Sequence, residues 1–305
     1  MFCAILAFLC TSAAVLGNAF EKNKEPLGYV SVELSGQFGN QLFQIAAAYA
    51  YSLDYNLSLT VPDLLHKDQY NILYNAKKIF LSKIDSYDLP YTPLLCWKEP
   101  SFNYSKIPKS SIVELQGYFQ SDIYFKHRRN EILDLFAAPP GLNEEILVKY
   151  PFLLSDALVV GIQIRDYREE RPQGDYHPTI SRNYYEKAIE SFPKDTIFLV
   201  SSNNLKYALE CVEGLSSNII YLEGSDYIED FYTLVLCKSF IISNSTFGWW
   251  ASWLSSYNKK TVITPHPWFS LPYDSDSMKT TLLPPEWTVI DYTKYCGAPK
   301  NWTVE

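Results

Sequence analysis

The sequence is short of positive charge: 26 Lys and Arg stand against 34 Asp and Glu, for a formal net charge of −8. That excludes the basic footprint that nucleic acid demands of a binding surface. An anionic small ligand stays open, because it needs only a local cluster of donors. Metal-type and redox-type cysteine spacing is also missing. The six cysteines comprise Cys3 and Cys10 in an N-terminal apolar segment and the scattered Cys96, Cys211, Cys237 and Cys296, with no C-x-x-C and no zinc spacing. Cys211 and Cys237 fall on apolar helix faces, where thiols pack rather than ligate. Phe2 to Gly17 is almost wholly apolar yet short for a membrane span. No Lys or Arg precedes it, as a secretory signal would require, although the small residues up to Ala19 suit a cleavage site. Lys22 and Lys24 follow it, which by the positive-inside rule argues against a lumenal body. A signal or an anchor over residues 1–25, with membrane association through 2–17, is the expectation. Four N-x-S/T sequons, at Asn56, Asn103, Asn244 and Asn301, do not decide the compartment.

What is present suits a globular protein of one large or two ordinary domains: 305 residues, 47% hydrophobic and 20% charged. The organising stretch is Ala157 to Tyr167. Leu158, Val159, Val160, Ile162 and Ile164 form the nearly continuous apolar run of a strand buried on both faces. Arg165 follows where such a strand leaves the core, the place where open α/β sheets hold their ligands. An arginine there can fork two hydrogen bonds onto a phosphate; a surface ion pair is the plainer alternative.

Upstream, Tyr29 to Ser35 alternates as a strand. The turn Ser35 to Gln41 carries Gly36 and Gly39, and a helix with apolar positions from Leu42 to Leu53 follows. Strand, glycine turn and helix aim backbone N–H groups at an anion, though a tight turn needed only for packing has the same form. Pro62 to Pro108 reads as a loop-rich stretch with short helices. A strand from Val113 to Tyr118 and a helix from about Asp122 to Phe136 come next, with His127, Arg128 and Arg129 on a solvated face. Ala138 to Gly141 breaks the chain, which places a domain boundary between Pro139 and Ser155. The predicted domains are 26–150 and 151–305.

After the boundary, strands and helices alternate with short connections. A helix begins at Ser181. A strand spans Thr196 to Ser201, a helix Leu205 to Leu215 and a short strand Asn218 to Leu222. A helix from Ile228 to Lys238, a strand from Phe240 to Ser243, a helix from Thr246 to Ser255 and a strand from Lys260 to Pro265 complete the series. This order predicts a doubly wound parallel sheet. Arg165, Ser202, Asn203 and Ser243 to Thr246 all fall at its strand ends. In Ile241 to Trp250, hydroxyls precede a helix N-terminus directly, a seat for an anion. Trp249 and Trp250 read as core. Asp274-Ser275-Asp276 looks like a metal-binding D-x-D but follows Pro272 in a Ser-rich loop, and reads as a solvated turn.

GQFGNQLFQ (36–44), GYFQS (117–121), DFYTLVLC (230–237) and SNSTFGWWASWL (243–254) together resemble the α-1,2-fucosyltransferases of glycosyltransferase family eleven, especially bacterial-type members. The resemblance runs in order from about Gly28 to Ile290. It implies a GT-B-like α/β fold of two Rossmann-like domains facing a cleft, with the nucleotide in the C-terminal one. It also implies inverting transfer of fucose from GDP-fucose to the 2-hydroxyl of a galactose-terminated glycan, without metal or other cofactor. Arg165 would bind the diphosphate and stabilise departing GDP. Asn244, Ser245, Thr246 and Phe247 would hold phosphate and nucleotide, and Asp230 would shape the nucleotide site. Gly39, Asn40 and Gln41 would approach from the N-terminal domain near the transferred sugar, with Asn40 sharing the catalytic work.

The sequence departs from the family at one place. Where the family reads H-x-R-R-G-D-Y, this chain reads Gln163-Ile164-Arg165-Asp166-Tyr167. Gln replaces His, and either two residues are missing or Asp166 replaces the second arginine. Arg168 is a candidate substitute for that arginine, and Asp166 is a candidate base by position, though ordering the loop is its simpler role. Two alternatives stay open: a transferase with another nucleotide sugar or fucose linkage, and a degenerate member that binds nucleotide or glycan without transfer. The body would face the Golgi lumen in a eukaryote and the cytoplasmic side of the membrane in a bacterium.

Overall fold

The computed structural model describes residues 26–88, 92–168, 177–223, 226–270 and 281–294. The apolar segment 2–17, Asn301 and Asp274 to Asp276 lie outside the described residues. Among the described residues no helix is long and apolar enough to cross a membrane.

Two parallel sheets organise the chain. The first contains β1 (Tyr29–Val32), followed by helix α1 (Phe38–Tyr55), and β2 (Ser58–Thr60). Two short helices, α2 (Asp63–His66) and α3 (Ile72–Asn75), lead through a π-turn at Ala76–Phe80 toward β3 (Leu95–Lys98) and β4 (Ile112–Gln116). The strand order is β2-β1-β4-β3. α4 (Arg129–Leu135) and α5 (Leu142–Lys149) then carry the chain to the second sheet.

That sheet begins with β5 (Val159–Ile164), buried at every position. It continues as α6 (Arg182–Ile189), β6 (Ile197–Ser202), α7 (Leu205–Val212), β7 (Ile219–Tyr221) and α8 (Tyr227–Val235). β8 (Ser239–Ile242), α9 (Thr246–Leu254), β9 (Val262–His266) and β10 (Thr288–Asp291) complete it. The order β10-β9-β8-β5-β6-β7 is that of a doubly wound sheet.

Three differences from the sequence reading have physical causes. The stretch read as loop contains strand β3, whose edge position leaves alternate residues exposed, so no apolar run marks it. The helix expected over 122–136 is two 3-10 turns, at Asp122–Tyr124 and Lys126–Arg128, before α4 begins. Arg129 is not on a solvated face. Its guanidinium lies 4.3 Å from the Trp253 ring and donates to the Trp253 carbonyl at 2.8 Å, at the C-terminal end of α9. A cation there complements the negative end of the helix dipole. His127 and Arg128 instead meet Asp54 at the surface.

One apolar core runs behind both sheets. Phe43 on α1 packs on Trp249 and Trp250 with ring centroids 4.4 and 5.0 Å away, and Phe125 stacks on Trp250 at 5.1 Å. Phe38 meets Phe231 edge-on at 5.0 Å. Buried aromatic faces of this size fix α1 against α9, so the two sheets meet with their helix ends in register.

Candidate active site

In an open α/β sheet the crevice forms where neighbouring strands send their connections in opposite directions. The second sheet has this point between β5 and β8, since β6 lies on the other side of β5 and β9 on the other side of β8. In the first sheet β1 sends its connection to β2 on one side, while its other neighbour, β4, is the last strand and sends the chain on toward the second sheet. The segments leaving β5, β8, β1 and β4 are Gln163 to Tyr167, Ser243 to Phe247, Ser35 to Gln41 and Gly117 to Ser121. The segments after β1 and β8 approach each other at Gly39. A Cβ placed on Gly39 would lie 2.5 Å from Thr246 Oγ1 and 2.7 Å from the Phe247 amide nitrogen. The N-terminal turns of α1 and α9 therefore abut. Each helix start carries a partial positive charge, an arrangement that can seat an anion between the halves.

On the C-terminal side, Ser245 caps α9 by accepting the Phe247 N–H at 3.4 Å. Phe247 turns its ring toward Phe231 at 5.2 Å, which leaves its backbone as the part facing the seat. Asn244 is buried, and its Nδ2 donates to the carbonyls of Pro178 and Trp268 at 3.1 and 3.0 Å. It therefore holds crossing segments together, and its sequon is closed to a glycan in the folded chain. Beneath the seat, Gln163 Oε1 accepts from Ser243 Oγ at 2.7 Å and would meet a Cβ on Gly248 at 2.9 Å. Gln163 thus braces β5 against β8 and α9, so the His-to-Gln departure falls in this support.

Arg165 leaves β5 beside this entry. Its guanidinium carbon lies 5.4 Å from the centroid of Tyr167, whose hydroxyl donates to the Asn244 carbonyl at 3.1 Å. Asp166 points the other way and is buried. Its carboxylate accepts from the Arg168 backbone N–H at 3.0 Å, from Arg168 Nε and an Nη at 2.9 Å each, and from Asn204 Nδ2 at 2.9 Å. Burial alone would raise this carboxyl, but the Arg168 and Asn204 donors together hold it below its ordinary value. Arg168 also spans to Glu210 at 3.3 Å and covers the Tyr207 ring at 4.2 Å. The structure sets Arg165 against Tyr167, which bonds the Asn244 carbonyl just ahead of α9, and engages Asp166 and Arg168 with each other.

Asp230, in the first turn of α8, is 9% exposed and accepts from Ser201 Oγ at 3.3 Å. Burial pushes its carboxyl up from 3.8 to about 6, against the lowering effect of Ser201. A desolvated carboxylate with one hydroxyl partner can still accept N–H or O–H groups of a nucleoside. Its charge costs the folded state stability above the raised value, and the cost disappears below the unfolded value, where both states are protonated. Asp230→Asn is therefore expected to stabilise the ligand-free protein at about pH 8 by about 2 kcal/mol. The gain shrinks as pH falls from about 6 toward about 4. Thermal unfolding of both proteins at the two ends of this range checks the sign; no rise in Tm at the alkaline end contradicts it.

On the N-terminal side, Gln41 is fully buried. Its Nε2 donates to the carbonyls of Gly36 and Tyr70 at 2.9 and 3.0 Å, and its Oε1 accepts from Asn75 Nδ2 at 2.8 Å. Asn75 Oδ1 in turn accepts from the Tyr227 hydroxyl at the start of α8. Gln41 thus ties the glycine turn to the α3 segment and, through Asn75, to the C-terminal half. Gln44, not singled out from the sequence, bonds the Ser35 N–H and the Gly117 carbonyl at 3.0 and 2.9 Å, clamping the ends of β1 and β4. Asn40 is half-buried in the first turn of α1, with Oδ1 accepting from Gln120 Nε2 at 2.9 Å. Its place in the signal was visible, since GYFQS and GQFGNQ stand after neighbouring strands, but their pairing was not. Among the described residues no three His, Cys, Asp or Glu side chains group to hold a metal ion.

The chain is similar to known glycosyltransferases. The O-antigen biosynthesis glycosyltransferase WbnK of Escherichia coli is 27% identical over 289 residues, covering 78% of this chain and 94% of that protein. An α-1,2-colitosyltransferase of Escherichia coli is 24% identical over 278 residues, covering 80% and 93%. Galactoside α-(1,2)-fucosyltransferase 1 of Rattus norvegicus is 26% identical over 283 residues, covering 87% and 73%. The crystal structure of fucosyltransferase NodZ from Bradyrhizobium superposes with a TM-score of 0.50 at 13% identity, over 73% of this chain and 91% of that one. It shares the GT-B-like fold. The profile of glycosyl transferase family 11 matches residues 8–291. With that match over nearly its whole length, the chain belongs to glycosyl transferase family 11.

Proposed function

We propose that this chain transfers L-fucose from GDP-fucose to the 2-hydroxyl of a galactoside, with inversion and without a metal ion. The observation that carries the reading is the meeting of the α1 and α9 N-termini at Gly39 and Thr246, with Arg165 on the ring of Tyr167, which bonds the Asn244 carbonyl ahead of α9. Positive potential at two abutting helix N-termini supports the reading, because it suits a departing sugar diphosphate. The names of relatives in both bacteria and mammals support the α-1,2 linkage.

In this mechanism the acceptor O2 forms a bond to fucose C1 as the bond from C1 to the diphosphate oxygen breaks. The electron pair departs with GDP. Arg165 and the N–H groups of α9 meet the charge that develops on the leaving phosphate, the electrostatic work that dominates such transfers. Asp166 does not serve as base, because its oxygens are occupied by Arg168 and Asn204. An oxocarbenium-like transition state makes the acceptor hydroxyl acidic late, and its proton leaves to solvent. Asp230 accepts donors of the nucleoside.

A second reading has colitose in place of fucose, favoured by the colitosyltransferase among the relatives. Turnover of GDP-fucose on lactose in EDTA tests the first reading, with other nucleotide sugars as competitors. Full activity in the chelator is expected. Strict dependence on added divalent metal contradicts the mechanism, and preference for a different donor replaces the substrate.

A further inference from the structure

Asn40 owes its orientation to a side chain outside the anion seat. Gln120 is only 6% exposed, and its Nε2 donates to Asn40 Oδ1 at 2.9 Å. Its Oε1 is buried and takes no hydrogen bond among the described residues. The bond to Asn40 is therefore what its placement serves. The backbone before it is held in an unusual shape: Phe119 has φ +52, a left-handed conformation that a bulky side chain avoids. The Glu99 carboxylate holds that shape. Its Oε2 accepts the N–H groups of Tyr118 and Phe119 at 2.9 Å each, while its Oε1 accepts the Tyr124 hydroxyl at 3.1 Å. On the other side of Asn40, its Nδ2 lies 2.2 Å from where a Cβ on Gly36 would stand, so only glycine leaves room for it.

We propose that Gln120 is a positioning residue that sets which end of the Asn40 amide meets the substrate. The two ends of a side-chain amide are chemically opposite, one a donor and the other an acceptor. With Oδ1 taken by Gln120, Nδ2, on the Gly36 side of the turn, is the polar end left to Asn40, and it would meet a sugar hydroxyl or phosphate oxygen as an N–H donor. Glu99 acts one step further back, by keeping Phe119 left-handed so that Gln120 reaches Asn40. The assignment rests on the transfer reaction proposed above for its kinetic consequence, and on the described geometry for the orientation itself.

Gln120→Glu separates the two. A carboxylate of nearly the same shape can only accept from Asn40, so it turns the amide and puts Oδ1 in place of Nδ2. The expected result is a fall in kcat of about 100-fold, as for the loss of one transition-state donor, with GDP affinity close to that of wild type. Gln120→Met, which neither donates nor accepts strongly, gives a smaller loss. In 15N-labelled protein the Asn40 side-chain NH2 resonance, assigned by its disappearance in Asn40→Ala, shifts in Gln120→Glu. An unchanged resonance overturns the positioning role whether or not the protein turns over. A shifted resonance with unchanged kcat overturns its kinetic consequence. Wild-type protein that transfers no fucose, with the resonance still shifting, overturns only the functional reading. Gln120→Glu that fails to fold is replaced by Gln120→Met, for which the same resonance is read.

Discussion

Gly39→Ala is expected to lower kcat/KM about 100-fold, the scale of loss from misplacing reacting groups by about 1 Å. The added methyl would sit 2.5 Å from Thr246 Oγ1, 2.6 Å from the Thr246 carbonyl carbon and 2.7 Å from the Phe247 nitrogen. Two of these are backbone atoms at the start of α9, so no side-chain rotation relieves them. Either α1 or the α9 terminus has to move, and the shared anion seat opens. Forced insertion of this kind costs about 1–3 kcal/mol, which appears as a lower Tm. GDP titration and steady-state kinetics on the same preparation check the two effects. Wild-type kinetics in Gly39→Ala would mean that the approach of the two helix ends is not needed for turnover.

Arg165→Ala has the other large effect. A charge-assisted fork onto a phosphate contributes about 2 kcal/mol or more to binding. GDP affinity should therefore fall about 30-fold, and kcat/KM by about 1,000-fold as transition-state stabilisation is lost as well. Arg165→Lys recovers only part, because a point charge does not reproduce the planar fork. Arg168→Ala gives a contrast. Its guanidinium is committed to Asp166 and Glu210, so its removal loosens the loop and lowers stability more than it weakens phosphate binding. Equal losses at positions 165 and 168 would contradict this division of labour.

The parts of the fold legible in the sequence were those with long, uniform apolar runs. β5 is buried at all its positions and β8 likewise, so their sequences carry the signal undiluted. β3 and β10 are edge strands of four residues with no buried position, and nothing in their composition separates them from loop. Arg129 shows the same limit for charge. Its value lies in reaching the far end of α9, a contact more than a hundred positions along the chain that no local pattern encodes. For the site, chemistry was visible at each strand end but partnership was not. Asp166 and Arg168 stand two residues apart, and only the fold shows that they bind one another. Asn40 and Gln120 are separated by 80 positions and meet because β1 and β4 are neighbours. Gln163 read as a damaged catalytic motif until its contact with Ser243 and Gly248 placed it beneath the seat.

The most direct test of the central claim is the structure of the product formed from GDP-fucose and lactose, determined by NMR after incubation with the purified chain. The account predicts a trisaccharide with fucose in α linkage to the 2-hydroxyl of galactose, formed by wild type and reduced below detection in Arg165→Ala. Fucose at any other position, or no transfer by folded protein that binds GDP, would contradict it.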